Sequence, residues 1–165
     1  MHSVTLLTGS NEEHATEILE RAAELLSERI GKVEALSKFY SSEAWGFSAE
    51  REFYNQALRF TTELEPLQVL DVAQEVEQIL GRRRDIELAE REKTGERYAS
   101  RVVDVDVMFY DERVINLERL KVPHPLLHER EFALQPLCEI MGEFLHPQLQ
   151  RTLNDIYEEI KKSKI

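Results

Sequence analysis

Hydrophobic positions change period several times along this chain, and each change marks an element. Val4 to Thr8 is an apolar run of strand length, and Gly9-Ser10-Asn11 then supplies the turn and cap chemistry that predicts a helix start. In the next stretch Ile18, Ala22, Leu25, Leu26 and Ile30 recur at three- and four-residue steps, with Glu17, Glu20, Arg21 and Glu24 largely between them. That spacing gives one apolar stripe on a helix, which Gly31 ends. Val33 to Ser42 predicts a strand, and Phe53 to Leu64 another, in which Tyr54, Gln56, Leu58 and Phe60 alternate against Asn55, Ala57, Arg59 and Thr61. Pro66 suits a first helical turn, and Leu67, Leu70, Ala73, Val76, Glu77 and Leu80 trace a second helix that stops near Gly81.

After a long Arg-rich connection, Val102 to Tyr110 returns to a period of two. Val103, Val105, Val107 and Phe109 fall on one side, and Val102, Asp104, Asp106 and Met108 on the other. Two further helices are expected, one around Arg130 to Met141 and an amphipathic one from about Leu153 to Lys162. The order strand-helix-strand-strand-helix-strand suits an α+β domain of two or three layers, with a mainly antiparallel sheet and helices packed on its faces. A length of 165 residues fits one domain over 1–165.

Composition narrows the classes. Hydrophobic residues make up 42% of the chain, which supports a folded protein although 32% of residues are charged. The single cysteine, Cys138, lies among Leu134, Leu137 and Ile140, and reads as a buried small hydrophobe. The first residues lack a basic leader, and no segment approaches the roughly 20 apolar residues of a membrane span, so a cytoplasmic location is expected. A net charge of −11 opposes general affinity for nucleic acid or anionic membrane.

One stretch departs from that acidity. Arg82, Arg83, Arg84, Arg91, Lys93, Arg97 and Arg101 crowd a short interval. They suit a phosphate, but Asp85, Glu87, Glu90, Glu92 and Glu96 are interleaved and a solvated loop stays open. Arg101 stands three residues before Asp104, at the mouth of the acidic strand. Two same-face side chains lie about 7 Å apart along a strand, close enough for both carboxylates to meet one polyphosphate-bound Mg²⁺. The alternative is a solvent-facing strand edge, although aspartate is a poor strand former. Together, metal and guanidinium suit phosphoryl transfer, which rests on positioning and charge neutralisation. The chain carries neither a Walker loop nor a Gly-x-Gly-x-x-Gly fingerprint.

Pro123 and Pro125 stiffen the loop that presents His124, either as a donor to a phosphate or ribose oxygen or as a structural histidine. His128 and His146 carry weaker signals, His2 and His14 read as solvated, and the spacing suggests no zinc site. Trp45, Phe53 and Phe132 fit either core positions or a stack on a planar heterocycle.

Taken together these residues resemble the hydroxymethyl-dihydropterin pyrophosphokinases of folate biosynthesis. The likeness covers nearly the whole chain. It runs through Gly9-Ser10-Asn11, Phe39-Tyr40-Ser41-Ser42 with Trp45-Gly46, Asn55, Glu77 with Leu80-Gly81-Arg82, Arg101-Val102-Val103-Asp104-Val105-Asp106-Val107, Val122-Pro123-His124-Pro125, Arg130-Glu131-Phe132 and Gln135-Pro136-Leu137. The resemblance implies a ferredoxin-like fold and transfer of the pyrophosphoryl unit of ATP to the hydroxymethyl group of a reduced pterin, releasing AMP. It implies two Mg²⁺ ions on Asp104 and Asp106, and transfer assisted by Arg82 and Arg101, with Arg84 nearby. It further implies nucleotide contacts from Gln74, Glu77, Arg119, His124 and Arg130, and a pterin wall of Ser42, Glu43, Trp45 and Asn55 with Phe53 and Phe132 as the stacking pair. A monomer that binds only ATP and pterin is expected. Two rivals remain: another Mg-dependent small-molecule kinase that releases ADP, and a non-enzymatic ferredoxin-like binding module.

Overall fold

The computed structural model describes residues 1–42, 52–81 and 103–163. Its elements run β1 (His2–Ser10), α1 (Ala15–Arg29), β2 (Gly31–Leu36), β3 (Tyr40–Ser42), β4 (Phe53–Thr62), α2 (Pro66–Ile79), β5 (Asp104–Tyr110), a β6–β7 hairpin (Ile115–Asn116 and Lys121–Val122), a 3-10 turn (Leu127–Glu129), α3 (Glu131–Met141) and α4 (Leu153–Ser163). The main sheet has the order β2-β4-β1-β5, with β3 pairing the start of β4, and every pairing is antiparallel. This is the ferredoxin-like arrangement, with a second helical layer added.

Two cores explain the layers. Val4 and Leu6 of β1, Leu58 and Phe60 of β4 and the valines of β5 face Leu19, Leu26, Val69 and Val76 of α1 and α2. On the other face Leu7, Ala57 and Met108 meet Leu134 and Leu137 of α3 and Leu153 and Ile156 of α4. Burial of each large aliphatic side chain contributes about 1.5–3 kcal/mol, so both faces are held. The coverage also explains why β4 lacks the expected contrast between its sides: Asn55, Gln56, Ala57 and Leu58 are all buried.

Several boundaries differ from the pattern. The strand expected over Val33 to Ser42 breaks after Leu36, because Ser37 pairs with β4 partly through side chains. Its hydroxyl accepts the Ala57 N–H at 2.9 Å, and its carbonyl accepts the Gln56 side-chain amide at 2.8 Å. β4 ends at Thr62 rather than Leu64, since Thr62 Oγ1 turns to accept the Leu64 N–H and donates to the Ile30 carbonyl. Helix α1 is not capped by Ser10 or Asn11; Ser10 accepts the Glu12 N–H, and His14, at φ 62°, stands at the cap. Leu19 is fully buried on that helix, whereas Ile18 is only half-buried. The β6–β7 hairpin carries too short a period to be foreseen.

Two side chains differ from expectation. His2 is not simply solvated, since its Nδ1 lies 2.7 Å from Asp111 Oδ2. Burial alone would raise the Asp111 carboxyl, but the Ser3 N–H and His2 outweigh it and hold the group below the usual carboxylate range. Cys138 is half-buried, with desolvation pushing its thiol up to about 11. Among the described residues no helix is long and apolar enough to cross a membrane.

Candidate active site at the end of the central strands

One row of residues crosses the sheet where β1 ends. Tyr40 of β3 pairs with Asn55 of β4, Asn55 with Gly9 of β1, and Gly9 with Asp104 of β5. Adjacent positions in a row share a face, here the one covered by α3 and α4. Asp106 sits two residues along β5, opposite Leu7, so the two aspartates also share that face. Both are half-buried. Their four carboxylate oxygens are hard donors of the kind Mg²⁺ prefers, and phosphate oxygens and water can complete such a shell. Among the described residues no group of three His, Cys, Asp or Glu side chains is close enough to form a protein-only metal cage.

Asn55 is 3% exposed and donates from Nδ2 to the Thr8 carbonyl at 3.2 Å, while its Oδ1 is buried without a partner. A buried orphan acceptor is costly, and a ligand N–H is the natural group to satisfy it. Phe53 lies two residues before it, on the same face, and Ser42 is the register partner of Phe53. Phe132 opens α3 against the second core, with the Arg130 guanidinium 5.7 Å from its ring centre. Thus Ser42, Phe53 and Asn55 gather at one end of a sheet face, and Phe132 packs on the core of that same face.

Along the outer edge of β5, a cleft of about 220 Å³ opens between α2, β5 and the loop after the hairpin. Gln74, Glu77, Asp106, Arg119, Lys121 and His124 line it. Glu77 is 3% exposed, and its Oε2 accepts the Val105 N–H at 2.9 Å. That bond satisfies an outward donor of β5, which ends the strand order and has no neighbour strand there among the described residues. Arg119 holds Asp71 at 2.6 Å on the cleft rim. His124 is anchored through its N–H to the Met108 carbonyl, and its Nδ1 accepts the Leu126 N–H at 3.4 Å. Burial, helped by the Arg130 charge, lowers its pKa to about 4. The ring is therefore neutral near pH 7, and the bond at Nδ1 assigns the proton to Nε2, a donor.

Glu43, Trp45, Arg82, Arg84 and Arg101 lie outside the described residues. Gly9 was quoted in the sequence only as part of a motif, but its surroundings show a further role. A Cβ there would stand 2.5 Å from Phe53 Cε1 and 2.6 Å from Asn55 Nδ2. A glycine at the end of an apolar strand is the available signal for such close approach. Lys121 was also missed, because nothing in the pattern of a two-residue strand points to a cleft.

The sequence matches the family model described as 7,8-dihydro-6-hydroxymethylpterin-pyrophosphokinase (HPPK) over residues 5–142. It is 35% identical over 159 residues to the 2-amino-4-hydroxy-6-hydroxymethyldihydropteridine pyrophosphokinase of Aquifex aeolicus, covering 96% of this chain and 92% of that protein. The Bacillus subtilis protein of the same name is 32% identical over 133 residues, covering 80% of this chain and 74% of its own. Among solved structures, Plasmodium falciparum HPPK-DHPS with pteroate superposes with a TM-score of 0.75 at 14% identity, covering 99% of this chain. This chain spans 46% of that polypeptide, and the likeness bears on the fold alone. With the family model matched over most of its length and relatives matched nearly end to end, the chain belongs to the 7,8-dihydro-6-hydroxymethylpterin-pyrophosphokinase family.

Proposed function

We infer that this chain carries out the reaction its family is named for, moving the β,γ-pyrophosphoryl unit of ATP to the hydroxymethyl oxygen of 6-hydroxymethyl-7,8-dihydropterin and releasing AMP and the pterin diphosphate. The observation that carries the reading is the row Asn55, Gly9, Asp104, which sets an unsatisfied amide oxygen beside a pair of carboxylates. Asn55 Oδ1 accepts an N–H of the pterin, while the Thr8 carbonyl holds the amide in the orientation that presents it. Phe53 and Phe132 supply ring faces for the flat heterocycle, and Ser42 borders it. The hydroxymethyl group then points along the row toward Asp104.

ATP occupies the cleft bounded by Gln74, Glu77, Arg119 and His124, with Arg130 nearby. The neutral His124 donates from Nε2 to a phosphate oxygen, and its tie to Leu126 keeps that nitrogen protonated. Glu77 acts chiefly by fixing the edge of β5, and with it the two aspartates. Asp104 and Asp106 are the ligands for two Mg²⁺ ions. When bound, these ions neutralise phosphate charge and lower the pKa of the acceptor alcohol. Arg82, Arg84 and Arg101 are assigned to the phosphate chain by family resemblance. The chain acts as one domain over 1–165, as a cytoplasmic monomer.

Product analysis tests the reading. With ATP, Mg²⁺ and reduced hydroxymethylpterin, AMP should appear in step with pterin diphosphate. Release of ADP instead, or nucleotide turnover indifferent to pterin, would sink it.

A further inference from the structure

We propose that Glu139 is a positioning residue for the pterin site, clamping strand β3 to helix α3 so that the residues facing the substrate keep their separation. The proposal rests on the assignment of Asn55, Phe53 and Phe132 to the pterin.

Three hydrogen bonds converge on this one carboxylate. Oε1 accepts the Tyr40 hydroxyl at 2.7 Å and the Lys38 N–H at 3.1 Å, and Oε2 accepts the same N–H at 3.3 Å. Tyr40 is no neutral anchor point: it is the register partner of Asn55, and Ser42 on the same strand is the partner of Phe53. β3 has three residues, too short to be held firmly by its ladder alone. At the other end of the clamp, Glu139 follows Phe132 by two helical turns, about 10 Å along α3 and on nearly the same stripe. One side chain thus ties the strand beside Asn55 and Phe53 to the helix that presents Phe132.

The clamp is more than general glue. Glu139 is exposed, so its removal leaves no buried charge and costs the core little. The Tyr40 hydroxyl is pushed up to about 12 by its bond to Glu139, then by burial and the carboxylate charge, and stays a donor throughout the working pH range. What the bonds restrain is distance. If β3 drifts from α3, the Asn55 amide and the two phenyl rings no longer face one ligand.

The test uses Glu139→Ala, Glu139→Gln and Tyr40→Phe in the full chain. Affinity for 6-hydroxymethylpterin is read by its fluorescence with a non-hydrolysable ATP analogue present; affinity for the analogue alone and the melting temperature are read beside it. Glu139→Ala and Tyr40→Phe should each weaken pterin binding, and raise the pterin KM, by about five- to tenfold, the scale of one charge-assisted hydrogen bond in contact with water. Analogue affinity should stay within about twofold, because the cleft lies along the outer edge of β5, separated from β3 by β4 and β1. Glu139→Gln keeps an acceptor for Tyr40 and should recover most of the affinity. The double variant Glu139→Ala with Tyr40→Phe should be no weaker than Glu139→Ala alone. Wild-type pterin affinity in both single variants overturns the clamp, as does a parallel fall of pterin and nucleotide affinity in step with a lowered melting temperature. If the wild-type chain binds no pterin, the reading of the site fails and the clamp with it; binding that is unchanged by the variants sinks the clamp alone.

Discussion

Replacing Gly9 by alanine adds one methyl group at the point where the proposed pterin wall meets the acidic pair. The new Cβ would lie 2.5 Å from Phe53 Cε1, 3.1 Å from Phe53 Cζ and 2.6 Å from Asn55 Nδ2. All three are well inside van der Waals contact, so both side chains must move. Phe53 is half-buried and can swing its ring, but that removes the stacking face. Asn55 can retreat only by giving up its bond to the Thr8 carbonyl, since it is 3% exposed and surrounded by β1 and β3. Overpacking of this kind costs about 1–3 kcal/mol, and a lost amide hydrogen bond about 0.5–1.5 kcal/mol. Part of that total falls on stability and part on binding. Pterin affinity is therefore expected to drop by about ten- to a hundredfold, equivalent to about 1.4–2.8 kcal/mol. Nucleotide affinity should change by no more than about twofold, because the nearest contacts of the added methyl are Phe53 and Asn55, neither of which lines the α2–β5 cleft. Titration of pterin and of an ATP analogue against the same preparation, with a thermal melt as control, measures both. A Gly9→Ala chain that melts like wild type and binds pterin as tightly would show that Phe53 and Asn55 do not have to lie against β1.

Asp104→Ala and Asp106→Ala should each leave a folded chain but lower kcat/KM by about a hundredfold or more, and coupled AMP detection with a melting curve would check both halves. Glu77→Ala strips the acceptor from the Val105 N–H and should cost about 1.5–3 kcal/mol of stability in urea unfolding. His124 carries a pH signature. Its folded-state pKa, about 4, lies below the ordinary value of 6.5, so between those two pH values the unfolded chain binds more protons and stability rises with pH. Stability should therefore fall on acidification from pH 6.5 toward 4, and His124→Asn should shallow that slope; an unchanged slope would contradict the burial of the ring. His146, also lowered by burial, acts in the same direction and remains in the variant.

What was legible in the sequence was local. The period of two in β5 sufficed to put Asp104 and Asp106 on one face, because strand geometry leaves no other choice. The apolar stripes of α1, α2 and α4 likewise placed those helices, and the order of elements pointed to the ferredoxin-like sheet. Features made by side chains distant in sequence were not legible. The break after Leu36 depends on Gln56 reaching the Ser37 carbonyl, across 19 positions. The Glu139 clamp spans 99 positions to Tyr40, and an exposed glutamate on a helix carries no pattern that separates it from its neighbours. Glu77 reads from the sequence as part of the stripe of α2 and, by family resemblance, as a nucleotide contact; its bond to the Val105 N–H, 28 positions away, carries no sequence signal.

The register of β1 has the largest consequence for catalysis. Gly9 pairs with Asn55 on one side and Asp104 on the other, so the amide proposed to face the pterin and the first carboxylate proposed to face the phosphates are two strand spacings apart, about 9–10 Å. That is a span an acceptor alcohol and a polyphosphate can fill together, one anchored from each end. A slip of one residue in either pairing would turn its partner strand over and send Asn55 or Asp104 to the helix α1 face. Leu6 and Leu7 prevent the slip, because they are committed to opposite cores, with Leu58 and Val107 beside the first and Ala57 and Asp106 beside the second. The hydrophobic pattern of β1 therefore does more than bury area. By fixing which residues stand opposite Gly9, it sets the separation of the two side chains proposed to anchor the acceptor and the polyphosphate.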